Sequence, residues 1–342
     1  MATIGVIGAG SWGTALAKLL AECEHEVTLW AHNPEVGRAI NDTRENATYL
    51  PGFELPPSLQ ATSDLKDAVA GKDLLLSVSP SHCVREVMSA ASAHVDGTPY
   101  IVSASKGVEH DTHLTMAGVL EQAMGKRHAA QISALSGPSF AREVAARMPT
   151  AVTVAANTQK VSEAVQKIFN HTGYFRVYSS EDLVGVEIGG AVKNIIALAA
   201  GVADGLGFGS NTRAALITRG LAETARLAVC LGANPMTLSG LAGMGDLVLT
   251  CTGDLSRNRT VGLRLGRGES LQNILDDMQM VAEGVKNTKS VRALAAAEGV
   301  EMPITEQMYA MLYENKPPRE VVTYMMTRGL KPELDRSAAE KP

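Results

Sequence analysis

A lysine set in an apolar stretch has the sharpest chemical meaning in this sequence. Lys193 stands in Val186-Glu187-Ile188-Gly189-Gly190-Ala191-Val192-Lys193-Asn194-Ile195-Ile196, and an ammonium group is rarely buried without a partner or a task. At helical spacing Gly189, Gly190, Lys193, Ala197 and Ala200 share one face, so the lysine projects from a strip of small residues that a bulky group can approach. The large aliphatics Ile188, Val192, Ile195 and Ile196 fall mainly on the other side. Desolvation lowers a lysine's pKa, which makes it usable as a proton donor or acceptor near neutral pH. The competing reading is a structural lysine, snorkelling or paired with Glu187.

Gly8-Ala9-Gly10-Ser11-Trp12-Gly13 matches G-x-G-x-x-G and lies between an apolar β-type run and a helical one. In that context Gly8 permits a tight turn, Gly10 lets backbone approach a pyrophosphate, and Gly13 lets helix and strand pack closely. The helix N-terminus then offers N–H groups and a positive dipole to the diphosphate. The carboxylate expected about 20 residues on to hold a ribose hydroxyl is replaced by Trp30-Ala31-His32-Asn33. NADPH is therefore expected with NADH tolerated, with His32 and Arg38 nearby; His32 as a plain exposed loop residue is the alternative.

Other candidates stand at strand ends. Ser105-Lys106-Gly107 and Ser136-Gly137-Pro138-Ser139-Phe140-Ala141 follow apolar runs, where ligands sit in open α/β sheets and small turn residues can donate N–H groups to an oxygen. Ordinary turn chemistry explains both equally simply. Gly243-Met244-Gly245-Asp246-Leu247 adds a carboxylate. Ser256-Arg257-Asn258-Arg259 adds guanidinium forks suited to a phosphate dianion. The basic residues at 257, 259, 264 and 267 form a solvated face in the blander reading.

Runs at Thr3–Ile7, Glu26–Trp30, Asp73–Val78, Tyr100–Ala104, Gln131–Leu135 and Ala151–Ala155 read as buried strands. Between them, Thr14–Glu22, His82–Ala93, Thr112–Met124 and Gln159–Asn170 have helical periodicity. This alternation implies parallel βαβ units. After Tyr178 the strand signal stops and helices follow, broken around Gly232–Pro235 and Lys316–Pro318. A chain of 342 residues exceeds the usual reach of one core. The expectation is an α/β Rossmann domain with a parallel sheet over 1–180, an all-α substrate-binding and catalytic domain over 181–330, and a polar disordered tail over 331–342.

A net charge of −5 and 4% aromatic residues argue against a nucleic-acid partner. Cys23, Cys83, Cys230 and Cys251 have no CxxC spacing, so neither a disulfide framework nor a zinc site is expected. The N-terminus lacks a basic n-region and a long apolar core, which points to the cytoplasm. Asp182–Leu206 is the most apolar long segment, but Glu187, Lys193, Asn194 and Asp204 interrupt it; it reads as a buried helix, with no membrane insertion.

GAGSWGTALA, SKGVE, LSGPSFAREV, VEIGGAVKNIIALAAGVADGLGFGSNTRAALITRG, GLAGMGDLVLTCT and SRNRTVGLRLGRG together resemble the bacterial NAD(P)-dependent glycerol-3-phosphate dehydrogenases over nearly the whole chain. The resemblance implies a helical second domain like that of 6-phosphogluconate dehydrogenase. It makes Lys193 the catalytic proton donor and acceptor, and Lys106 a contact of both substrate and nicotinamide. Gly137, Ser139, Lys193, Asp246, Ser256, Arg257 and Asn258 become substrate contacts, the last three at its phosphate. Cofactor positions would be Ser11, Trp12, His32, Tyr49 in NATYLPG, Ala141, Arg257, and Val281 with Glu283 in VAEGVKNTKSV. Further implications are reversible reduction of dihydroxyacetone phosphate to sn-glycerol 3-phosphate between the two domains, a supply of that product to phospholipids, and a homodimer; no metal is implied. Asn33 departs from the family where a basic residue would favour NADPH. A two-domain hydroxy-acid dehydrogenase, a non-enzymatic NAD(P) sensor and a purely structural protein are the alternatives.

Overall fold

The computed structural model describes residues 1–170, 172–278, 281–330 and 332–333. Of the tail expected over 331–342, only Pro332 and Glu333 belong to that set; the rest of that expectation lies outside the described residues.

The chain divides into two compact units, one of Met1–Glu109 with Leu114–Glu187, the other of His110–His113 with Ile188–Pro342. Strands of the first unit are β1 (Thr3–Ile7), β2 (Glu26–Trp30), β3 (Leu59–Thr62), β4 (Leu74–Ser77), β5 (Tyr100–Ser103), β6 (Ile132–Ser136), β7 (Thr150–Ala156) and β8 (Phe175–Ser180). They form one sheet in the order β3-β2-β1-β4-β5-β6-β7-β8. Neighbours run parallel except β6 and β7, whose antiparallel pairing sets Ser136 opposite Thr153. Thus the expected parallel sheet is present with one reversed junction. Two strands join those read from the sequence: β3 and β8 both alternate buried with more exposed positions, so neither shows a continuous apolar run.

Seven helices accompany the sheet: α1 (Ser11–Glu22), α2 (Pro34–Thr43), α3 (Leu65–Val69), α4 (Val84–Ser92), α5 (Met116–Met124), α6 (Ala141–Ala145) and α7 (Gln159–Phe169). Six of them fall into two packed sets, α1 with α6 and α7, and α3 with α4 and α5, while α2 packs beside β3, the doubly wound arrangement of a Rossmann-type domain. Ile4, Val6, Leu29, Leu74, Leu76 and Val102 from four adjoining strands meet Leu16, Leu19 and Leu20 of α1 in the core. These strands are apolar on both faces because both are covered.

Helices α8 (Leu183–Gly205), α9 (Ser210–Cys230), α10 (Asp246–Thr252), α11 (Arg257–Gly266), α12 (Leu271–Asp276), α13 (Glu283–Ala297), α14 (Pro303–Tyr313) and α15 (Pro318–Met326) follow. Among the described residues the second unit has no strand. By length and hydropathy α8 resembles a membrane span, but 94% of its most apolar window is buried by the chain itself. Its close partner is α11: a Cβ on Gly201 would stand 2.0 Å from the Arg259 carbonyl oxygen, and one on Gly262 would stand 2.0 Å from that of Leu198. Glycine at these positions lets the two backbones touch, fixing the start of α11 against the helix that carries Lys193.

Candidate active site

In the first unit the glycine loop joins β1 to α1. Gly8 has φ +124°, and a Cβ there would press on the Val78 carbonyl at 3.0 Å. A Cβ on Gly13 would stand 1.8 Å from the Gly8 carbonyl oxygen, so the first turn of α1 folds down onto the loop that precedes it. Gly10 differs, for a Cβ there meets nothing within 4 Å. Its side of the loop is open, which is the shape that lets backbone approach a ligand phosphate. Gly10 is also the N-cap of α1, whose first turn carries no acidic residue to compete with an anion. These features fit a dinucleotide diphosphate.

The other candidates of this unit gather around that loop to different degrees. Ser11 Oγ donates to the Tyr49 carbonyl at 2.6 Å, which ties the NATYLPG segment to the start of α1. Trp12 and Ala141, the first residue of α6, pack on one small apolar cluster of Ala15, Leu50 and Ala145. His32 is exposed just beyond β2, with its ring edge-on to Trp30 at 5.7 Å. Asn33 next to it has a structural task, since its side chain accepts the Glu35 N–H at 2.9 Å and caps α2. Lys106 lies half-buried after β5; its neighbour Ser105 donates to the Ser79 carbonyl at 2.6 Å, drawing that turn onto the end of β4. Gly137 opens the turn after β6, and Ser139 Oγ donates back to its carbonyl at 3.0 Å.

Lys193 is 8% exposed and Asp246 1%. Lys193 Nζ forms an ion pair with Asp246 Oδ1 and donates to Thr250 Oγ1 at 3.0 Å. Thr250, one turn along α10, in turn donates to the Asp246 carbonyl at 2.6 Å. A π-helical turn, Leu241–Gly245, leads into α10. It packs so tightly on α8 that a Cβ on Gly189 would meet the Ala242 carbonyl oxygen at 2.6 Å. The small residues beside Lys193 therefore admit protein backbone, and that backbone delivers Asp246. Glu187, the alternative partner, accepts the Ala117 N–H at 2.8 Å at the start of α5; burial pushes its carboxyl up to about 7. Cys251 adjoins the pair, and burial pushes its thiol up to about 12, which leaves it an unreactive packing group at neutral pH.

Ser256, Arg257 and Asn258 are the N-cap and first two residues of α11. Ser256 Oγ accepts the Arg259 N–H at 3.2 Å. Asn258 Nδ2 donates to Asn194 Oδ1 at 2.9 Å, and its Oδ1 accepts the Gly284 N–H at 2.9 Å. One amide thereby joins α8, α11 and the start of α13. Glu283 lies close enough to Arg257 for the two charges to attract. Val281, two residues earlier, is exposed. The basic run separates by function. Arg259 pairs with Asp204 and Asp254, and Arg264 with Glu269 and Asp277, whereas Arg257 stands exposed at the helix start. Thr250, Asn194 and Asn46 escaped sequence reading. Asn194 had one available signal, a second polar residue beside Lys193 in an apolar helix.

A glycine-loop nucleotide domain followed by a helical unit with a buried lysine–aspartate pair defines a dinucleotide-dependent oxidoreductase. Residues 3–162 match the NAD-dependent glycerol-3-phosphate dehydrogenase N-terminus, and residues 182–323 match its C-terminus. The chain belongs to that family. It is 59% identical over 330 residues to the glycerol-3-phosphate dehydrogenase [NAD(P)+] of Geobacter sp. (strain M21), covering 96% of this chain and 98% of the relative. The corresponding protein of Geobacter sulfurreducens is 56% identical over the same shares. The crystal structure of glycerol-3-phosphate dehydrogenase from Coxiella burnetii superposes with a TM-score of 0.90 at 41% identity, over 96% of this chain and 99% of that one.

Proposed function

We propose that this enzyme catalyses reversible hydride transfer between NAD(P)H and dihydroxyacetone phosphate, forming sn-glycerol 3-phosphate, with Lys193 as the proton donor and acceptor. The observation that carries the reading is the buried Lys193–Asp246 pair with Thr250 as a third contact. Asp246 favours the charged form of the lysine, so an ammonium stands ready to stabilise negative charge growing on the C2 oxygen and to deliver its proton there. In the reverse direction Lys193, once neutral, takes the alcohol proton. Thr250 and Asp246 fix the direction of Nζ, and Lys106 adds positive potential. Dinucleotide bound at Gly8–Gly13 supplies the hydride chemistry.

The substrate phosphate falls to Ser256, Arg257 and Asn258. Three properties coincide there: a helix start with its positive dipole, an accessible guanidinium, and an asparagine fixed at both ends of its amide. Gly137 and Ser139 would supply further polar contacts to the substrate, and Val281 and Glu283 further contacts to the cofactor. No carboxylate follows β2 to repel a 2′-phosphate, and His32 is exposed at that place. NADPH is therefore the preferred cofactor, with NADH accepted. A homodimer in the cytoplasm, feeding phospholipid synthesis, completes the proposal.

The test follows absorbance at 340 nm with dihydroxyacetone phosphate, NADH and NADPH in parallel, and unphosphorylated dihydroxyacetone as control. Oxidation that depends on the phosphate supports the reading. Equal rates with both substrates would overturn the phosphate assignment, and no oxidation with either would overturn the function.

A further inference from the structure

Asn46 lies between α2 and β3 and is 2% exposed. A buried primary amide has two donors and two acceptor sites to satisfy. Asn46 Nδ2 donates to the Ala9 carbonyl at 2.9 Å and to Thr14 Oγ1 at 2.8 Å. Its Oδ1 accepts the Tyr49 N–H at 3.2 Å. The segment it belongs to is held in turn, with Leu50 N–H on the Asn46 carbonyl at 2.8 Å and Ser11 Oγ on the Tyr49 carbonyl at 2.6 Å. One side chain thus bridges the middle of the glycine loop, the first turn of α1 and the turn at Tyr49.

The Ala9 carbonyl belongs to the same planar trans peptide as the Gly10 N–H, so the two point in opposite directions. Holding the carbonyl inward therefore turns the N–H outward, at a residue where an added Cβ would also meet nothing within 4 Å. We propose that Asn46 is the positioning residue of the glycine loop: by holding the Ala9 carbonyl it aims the Gly10 N–H at the diphosphate of NAD(P)H. This inference rests on the reading of Gly8–Gly13 as the diphosphate cradle. Because both cofactors share the diphosphate, Asn46 acts on them alike and leaves the proton chemistry at Lys193 untouched.

Asn46→Asp tests it, since the exchange keeps the volume and removes the donor. With NADH and NADPH titrated separately, both dissociation constants should rise in parallel by about tenfold, as expected for loss of a buried hydrogen bond that orders a binding loop. At saturating cofactor, kcat and the KM for dihydroxyacetone phosphate should match the parent enzyme. Thr14→Val removes the hydroxyl that accepts from Asn46 Nδ2 at 2.8 Å and donates to the Ala9 carbonyl at 3.4 Å, and it carries the test if Asn46→Asp does not fold; it should weaken both cofactors about threefold. Gly10→Val is the control on the loop itself. If Gly10→Val prevents dinucleotide binding while Asn46→Asp and Thr14→Val bind like the parent, the inference about Asn46 is overturned and the loop reading survives. If Gly10→Val binds dinucleotide normally, both are overturned.

Discussion

The glycine loop of the first unit and the lysine cluster of the second are built on opposite principles. On the function proposed above, the loop works through backbone N–H groups, and side chains matter where they are missing or where they hold a carbonyl in place. In the cluster the working groups are side-chain termini, and the backbone matters because Gly189 lets the turn before α10 come close enough to deliver Asp246. Lys193 and Asp246 are 53 positions apart, whereas the six residues of the loop are contiguous. A backbone site can therefore be written as one short motif, while a side-chain site is spread over elements that only the fold brings together. The two should also fail differently, the loop through cofactor affinity and the cluster through turnover.

The largest expected effect, and the most direct attempt to break that contrast, is Lys193→Ala. Loss of a positioned acid–base group should lower kcat by roughly 1000-fold, while dinucleotide affinity, measured by fluorescence titration, stays near that of the parent. An equal loss of cofactor affinity would mean that the two sites are not separable in this way. Asp246→Asn comes next. It leaves the buried ammonium of Lys193 without its counter-charge and should cost about 3–5 kcal/mol of stability, read from urea unfolding. Turnover should fall as well. An unchanged unfolding midpoint would mean that the pair is not a buried ion pair in solution.

Arg257→Ala is expected to be milder. Loss of a charge-assisted contact should raise the KM for dihydroxyacetone phosphate about 10- to 100-fold and leave kcat nearly unchanged. The rate with unphosphorylated dihydroxyacetone should not move. A fall in that rate too would show that Arg257 serves the reacting carbon rather than the phosphate.

The same contrast explains what the sequence could reveal. The loop was legible because spacing and flanking runs specify it locally, and the structure places it between β1 and α1 with Gly10 in open space and Gly13 against the Gly8 carbonyl. Lys193 was legible as an anomaly, a charge in an apolar helix, but its partner was not, since the sequence offered only Glu187, six residues away, and nothing pointed to Asp246. Packing decided between them by placing Glu187 at the start of α5. Continuously apolar runs were visible; β3 was not, because the exposed Gln60 interrupts it between Leu59 and Ala61. Asn46 and Thr250 had no signal at all, because a buried asparagine or threonine in a turn or helix looks ordinary until its partners are known.

The smallest effect concerns pH, and it sharpens the comparison by setting Asp246, which has an ion-pair partner, beside Glu223, which is held first by N–H groups and then by the charges of Arg226 and Arg328. Glu223 is 3% exposed and accepts the Ile304 and Thr305 N–H groups at 2.7 and 3.3 Å, capping α14. Burial pushes its carboxyl up from 4.5 to about 7, against the opposing pull of those N–H groups and of the Arg226 and Arg328 charges. The folded state therefore binds the proton more tightly than the unfolded chain does. The resulting stabilisation is complete below pH 4.5 and is lost as pH rises through about 7. Glu223→Gln keeps an acceptor for the helix start and cannot ionise. Between pH 5 and 8 the parent should lose on the order of 1–3 kcal/mol relative to this variant, measured as the difference between their unfolding free energies at each pH. Parallel pH profiles for the two proteins would show that the N–H groups, with Arg226 and Arg328, hold the Glu223 charge as well as Lys193 holds that of Asp246.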